Sequence, residues 1–161
     1  MARRSNFGAG IGMAIVLGAF VLGFIFLQSG EVSLSSIVSG VKYRTINVER
    51  LRLRVRVAKT PAEQLASLNG ISSIRSDEGM IFVFEEDGLY SISTKDMLFP
   101  VDLMWINRSG AVVDAHANVS PGLRDPVQPR SQARYVLMIS AGLMERNDIL
   151  IGSSAELAGI R

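Results

Sequence analysis

Between Phe7 and Leu27 the chain runs for 21 residues without a charged side chain, and no other feature limits its fold so tightly. A helix of that length reaches about 31 Å at 1.5 Å per residue, close to the roughly 30 Å hydrocarbon core of a bilayer. Residues 7–27 are therefore expected to form a single transmembrane helix. Cleavable signal peptides have apolar cores of about 7 to 15 residues that end in a small-x-small site. This run is longer, and Phe24-Ile25-Phe26-Leu27-Gln28 offers no such site, so an uncleaved signal anchor is the better reading. Arg3 and Arg4 flank one end, while the other has no basic residue before Lys42. The positive-inside rule then leaves residues 1–6 in the cytoplasm, with the C-terminal part outside a cytoplasmic membrane crossed once. Gly8 and Gly12 form a G-x-x-x-G pair, and Ala14 with Gly18 repeats the spacing. Such spacing lets two helices approach closely enough for a homodimer, although glycine is common in membrane helices without that role.

Setting the apolar run aside changes the composition. The whole chain is 48% hydrophobic with a formal charge of +2. Residues 31–161 hold 59 hydrophobic residues in 131, or 45%, and 15 Lys+Arg against 15 Asp+Glu. The surplus positive charge thus belongs to Arg3 and Arg4, and what remains is a neutral globular domain, with no nucleic-acid partner expected. There is no cysteine and one histidine. That excludes a disulfide scaffold, a thiolate or imidazole-rich metal site and a cysteine nucleophile. Phosphate-cradling glycine loops are missing too, and no cofactor or metal is expected.

Residues 28–40 are rich in serine and glycine and read as a linker, with an extracytoplasmic domain over 41–161. Arg50 to Val57 alternates arginine with leucine or valine, the period of a half-buried strand. Leu51, Leu53, Val55 and Val57 would face the core and leave Arg50, Arg52, Arg54 and Arg56 in a row. That row suits anionic head groups or envelope polymers, or, more simply, a solvated face neutralised by cross-strand acids. Thr60-Pro61-Ala62-Glu63 has an N-cap, a proline at the first helical position and an acid at the third. It predicts a short helix over Ala62 to Leu68. Asp77-Glu78-Gly79 reads as a turn, Met80 to Phe84 as a buried strand, Glu85 to Gly88 as another turn and Leu89 to Thr94 as a further strand. Phe99 to Asn107 and Ala111 to Ala117 form a hairpin closed by Asn107-Arg108-Ser109-Gly110, and Ser120 to Ser131, with three prolines, is a loop. Tyr135 to Ser140 is a strand, and Ile149 to Ile151 precedes a last turn at Gly152. Seven or eight strands and one helix predict a mostly β domain, a compact β-sandwich or a jelly-roll-like, partly closed barrel.

The order of these motifs resembles the family catalogued as domain of unknown function 192. Val57-Ala58-Lys59-Thr60 is similar to the family's first strand end. Ser67-Leu68-Asn69-Gly70-Ile71 stands for its Gly-Leu-x-Gly/x-Arg turn, with the first glycine and the arginine replaced. Gly79, Met80, Met97, Pro100, Tyr135 and Gly142 fall on its remaining motifs. The aromatic pair before Lys95 is gone, as are the acids at Met138 and Ser153. The resemblance covers about residues 51 to 157. It implies a compact β-rich domain with an altered ligand site, often behind an export signal or anchor, and it supplies no activity.

Lys95, Asp96 and Asp102 lie within eight residues around Pro100. A turn there would set Lys95 against Asp102, with Tyr90 and Trp105 as neighbours. The functional role is a polar ligand site or an oriented acid, and the simpler one an ion pair that fixes the turn. Asp77 or Glu78 would supply the second carboxylate of a hydrolase acting on an envelope polymer, unless they are only turn formers. His116 has no serine in a nucleophile context to serve and is expected to be a surface or hydrogen-bonded residue. These residues suggest a non-enzymatic domain that binds an envelope component or a partner protein. Weak hydrolysis and a structural, self-associating role are the alternatives.

Overall fold

The computed structural model describes residues 43–160. The expected cytoplasmic end (1–6), spanning helix (7–27) with Gly8 and Gly12, and linker (28–40) lie outside them. The described elements are β1 (Tyr43–Val48), β2 (Leu51–Ala58), α1 (Pro61–Ala66), β3 (Glu78–Gly88), β4 (Val101–Ile106), β5 (Val112–Val119), β6 (Ala133–Ser140), α2 (Leu143–Arg146) and β7 (Ala155–Glu156).

All seven strands join one sheet in the order β5-β4-β6-β3-β2-β1-β7. Its two edges meet at one end. The Val112 N–H donates to Ser153 O at 2.9 Å, and the Ala155 N–H donates to Gly110 O at 2.7 Å. Since Ala155 also pairs with Val48 of β1, the sheet curls into a half-barrel. The fold is thus the partly closed barrel, formed from a single curled sheet. Gly110 fits this closure by necessity. It has φ +91°, and a Cβ there would come within 2.4 Å of Ala155 O.

Both faces of the sheet are covered. One apolar layer joins Ile46, Leu53, Val55, Ile81, Met104 and Leu137 to Ile149 and Ile160 near the C-terminus. The other joins Met80, Phe82, Leu103, Trp105, Val136 and Met138 to Leu68, Ile92 and Met97 of the long connections. Successive residues of β4 alternate between these layers, as strand geometry requires, and all six are buried. A strand buried on both faces has no period of two, which is why Leu103 to Ile106 reads as a continuous apolar run after the buried Asp102.

β2 keeps the expected alternation, with Leu53 and Val55 fully buried and Arg52 and Arg54 exposed. Arg50 sits in the β1–β2 turn instead of the strand. Arg54 pairs with Glu78 directly across the β2–β3 ladder and lies 4.9 Å over the Tyr43 ring. This neutralises the middle of the arginine row by a cross-strand acid. β2 and β3 are parallel; a parallel pair needs a crossover connection, which α1 and residues 67–77 provide. α1 starts as its sequence predicts. Thr60 Oγ1 accepts from the Glu63 N–H at 3.2 Å, and Glu63 Oε2 accepts from the Thr60 N–H at 2.9 Å.

Three expectations are corrected. Glu85 to Gly88 is not a turn; β3 continues through it as a bulge, because Val83 opposes Tyr135 and Gly88 opposes Ala133, which leaves Phe84 to Asp87 facing Arg134 alone. Leu89 to Thr94 forms no strand but only a bridge between Ile92 and Val127. Glu78 and Gly79 belong to β3 rather than to a turn. The helical turn α2 and strands β1 and β7 form without a sequence pattern that predicts them.

Candidate functional site

Asp102 and Lys95 do not meet. Asp102 is fully buried. Its Oδ1 accepts from the Asn118 N–H at 2.8 Å and its Oδ2 from the Met144 N–H at 2.9 Å. The side chain thus points to the layer that holds Met144, whereas Val101 and Leu103 on either side of it belong to the opposite layer with Ile92 and Met97. Lys95 lies on that opposite side, exposed, with its N–H donating to Ser93 Oγ at 3.3 Å. A one-residue step along a strand turns a side chain to the other face, and that step separates the pair.

The motif residues explain what Asp102 does. The Ala141 N–H donates to Pro100 O at 3.3 Å, and Gly142, at φ +79°, caps α2 two residues before Met144. Pro100, Asp102, Ala141 and Gly142 therefore interlock the start of β4 with the end of β6. Gly79 lies in the sheet between β2 and β6; a Cβ there would meet Met138 O at 2.8 Å. Met80, Met97 and Tyr135 are buried packing residues. Tyr90 and Trp105 do come together, since the fully buried Trp105 donates from Nε1 to Tyr90 O at 2.8 Å. Tyr90 in turn stacks on Phe84 with ring centres 3.5 Å apart and donates its hydroxyl to Glu86 O.

The carboxylates proposed for hydrolysis are dispersed. Glu78, two residues before Met80, shares its face and pairs with Arg54, opposite to the face of Asp102. Asp77 is held by Arg75 at 3.0 Å, whose guanidinium keeps its carboxyl below the usual value. A different buried carboxylate, Asp114, lies opposite Trp105 on β5. Burial alone would raise its pKa, but hydrogen bonds from the Arg130 side chain, the Arg130 N–H and the Ala115 N–H outweigh it and hold it at about 2. His116 stands edge-on to Trp105, and its buried Nε2 lies 3.7 Å from Asp114 Oδ2 without a hydrogen-bond partner. Its side chain is 34% exposed, so the expected surface placement holds in part, while Nε2 itself is turned inward.

The residue missed from the sequence is Ser67. It ends α1 with φ +43° and ψ −135°, a region that L side chains enter at a cost. It is 8% exposed, and its hydroxyl has no hydrogen-bond partner among the described residues. It lines a cleft of about 250 Å³ between α1, β3 and residues 91–96. Leu65, Phe82, Phe84 and Ile92 form the apolar part; Gln64, Asn69, Ser91, Ser93 and Asp96 join Ser67 in the polar part. Gln64 is fixed by donating from Nε2 to Val83 O at 3.2 Å. Two other concavities, of about 360 Å³ beside Arg108 and Gly159 and about 330 Å³ between Arg50 and Arg146, are larger. Neither holds a buried, unpartnered polar atom, so the smaller cleft is the candidate site. A signal for Ser67 existed, because it replaces the first glycine of the Gly-Leu-x-Gly turn, where positive φ carries no penalty. Among the described residues no group of three or more His, Asp and Glu is placed to hold a metal ion.

Two solved structures share the fold. One is a candidate transcription regulator from Sinorhizobium meliloti 1021, 23% identical, covering 72% of this chain and 94% of its own with a TM-score of 0.69. The other is a protein of unknown function from Novosphingobium aromaticivorans DSM 12444, 26% identical, covering 74% of this chain and 88% of its own with a TM-score of 0.70. No curated protein matches the chain. The family model described as an uncharacterized ACR matches residues 43–157, from β1 through β7. The chain therefore belongs to the domain of unknown function 192 family.

Proposed function

We propose that the protein is a single-pass membrane protein whose outer domain binds an envelope component in the cleft beneath α1. Residues 1–6 would lie in the cytoplasm, 7–27 in the membrane, 28–40 as a tether and 41–161 outside. The observation that carries the binding role is Ser67, a strained residue whose buried hydroxyl is left without a partner inside a preformed cleft. An orphaned buried polar group costs about 1–3 kcal/mol, and a ligand that satisfies it recovers that cost. The cleft offers one carboxylate, Asp96, and no imidazole to activate Ser67, which supports binding over catalysis. The regulator named for the Sinorhizobium structure gives no reason to invoke nucleic acid, because residues 31–161 carry equal numbers of acidic and basic residues.

The full chain in nanodiscs should be retained on protein-free envelope material, and Ser91→Trp, which fills the mouth of the cleft from an exposed position, should abolish retention. Equal retention by the variant, or none by the parent, would overturn the reading. A reporter fused after Arg161 should be active only outside the cytoplasm. Crosslinked dimers in membranes should disappear in Gly12→Ile if residues 7–27 also self-associate.

A further inference from the structure

The lining of the cleft narrows its ligand to one class, and we infer that it takes a single neutral sugar ring of an envelope glycan. This rests on the cleft being the domain's binding site. Phe82 and Phe84 supply an apolar wall, and the Tyr90 ring, parallel to Phe84 within 4°, fixes the plane of Phe84 from one side. Around that wall stand the hydroxyls of Ser67 and Ser91, the amide of Asn69 and the carboxylate of Asp96. A pyranose has the matching shape: C–H groups on its faces for an aromatic wall and hydroxyls around its rim for polar partners.

Other classes fit worse. An acyl chain or aliphatic side chain would cover Ser67 and leave its hydroxyl desolvated and unpaired. An anion would meet Asp96, the single charged side chain in the lining, with no cation there to offset the repulsion. Hydroxyl donors suit this set, since a carboxylate only accepts and a serine hydroxyl both donates and accepts. Size agrees as well. About 250 Å³ falls just below the roughly 300–1,000 Å³ of sites that enclose drug-sized molecules, which leaves room for one ring and not for a folded peptide.

The test uses the full chain in nanodiscs and saturation-transfer difference NMR with maltotriose, cellotriose and the N-acetylglucosamine disaccharide, alongside glucose 6-phosphate and glucuronate. At least one neutral saccharide should receive saturation and compete with retention on envelope material, with the two anions at least tenfold weaker. Ser91→Trp should abolish the signal. Asp96→Asn, at an exposed position where the fold is not at stake, should weaken it about fivefold or more. Tighter binding of the anions, or neutral-sugar binding that survives both substitutions, overturns the assignment. Retention that Ser91→Trp abolishes but no neutral saccharide competes refutes the sugar and leaves the cleft as the binding site.

Discussion

Replacing Ser67 with glycine should make the domain more stable and the cleft less able to bind. Two unfavourable contributions meet at this residue. Its φ of +43° with ψ −135° is costly for an L residue by about 1–2 kcal/mol, and its buried hydroxyl without a partner costs about 1–3 kcal/mol. Glycine removes both and gives back about 0.5–1 kcal/mol through the greater freedom of the unfolded chain. The N–H of residue 67, which donates to Glu63 O at 3.1 Å, is kept. The net gain is about 1–4 kcal/mol, a rise in Tm of several degrees or more for a domain of this size. Ser67→Ala separates the two contributions, because it removes the hydroxyl but keeps a Cβ at positive φ. Thermal unfolding followed by circular dichroism should rank the variants glycine, alanine, serine in decreasing Tm, while both substitutions weaken ligand retention. A glycine variant with unchanged or lower Tm would show that Ser67 is neither strained nor orphaned, and the case for the cleft would go with it. A more stable protein that binds less is the pattern expected where a site is maintained against the fold's own preference.

Other substitutions test the scaffold. Asp102→Asn turns one acceptor into a donor facing an N–H, of either Asn118 or Met144, and should cost about 2–3 kcal/mol in urea unfolding; a loss under 0.5 kcal/mol would contradict the interlock of β4 with α2. Gly79→Ala should lower stability by about 1–3 kcal/mol, since its Cβ would meet a backbone oxygen between two paired strands. Asp114 has a folded pKa of about 2, below its unfolded value near 4. Its contribution, about 2 kcal/mol, is therefore complete above pH 4 and lost as the pH falls from about 4 through 2. Asp114→Asn should remove that loss and flatten stability over this window, whereas an unaltered acid profile would mean that other carboxylates govern it.

Much of the fold could be read from residue order, for reasons that are local. The capping residues of α1 lie within four positions of one another, and the alternation of β2 records one buried face. Asn107 Oδ1 accepts from the Ser109 and Ala111 N–H groups at 3.0 and 2.9 Å, so the hairpin turn is also written in adjacent residues. The errors fall where distant partners decide. Glu85 to Gly88 has a turn composition, yet it remains in β3 because Arg134, 49 residues away, donates to Glu85 O across the bulge. β7 is two residues long and exists only through its pairing with β1.

The same division explains the candidate site. Asp96, Asp102 and Asp114 are one residue type in similar sequence settings, and spacing alone made Lys95 and Asp102 partners. Their fates are set by donors from elsewhere in the chain: an amide 42 residues on for Asp102, and a guanidinium and amide 16 residues on for Asp114. Both carboxylates are consumed in holding the barrel together, which removes them from any role with a ligand. Asp96, which the fold does not bury, keeps its oxygens for the cleft it borders. Ser67 lines the same cleft, as a polar atom the fold buries and does not satisfy. A binding site in this domain is found by asking which polar groups the scaffold leaves unused.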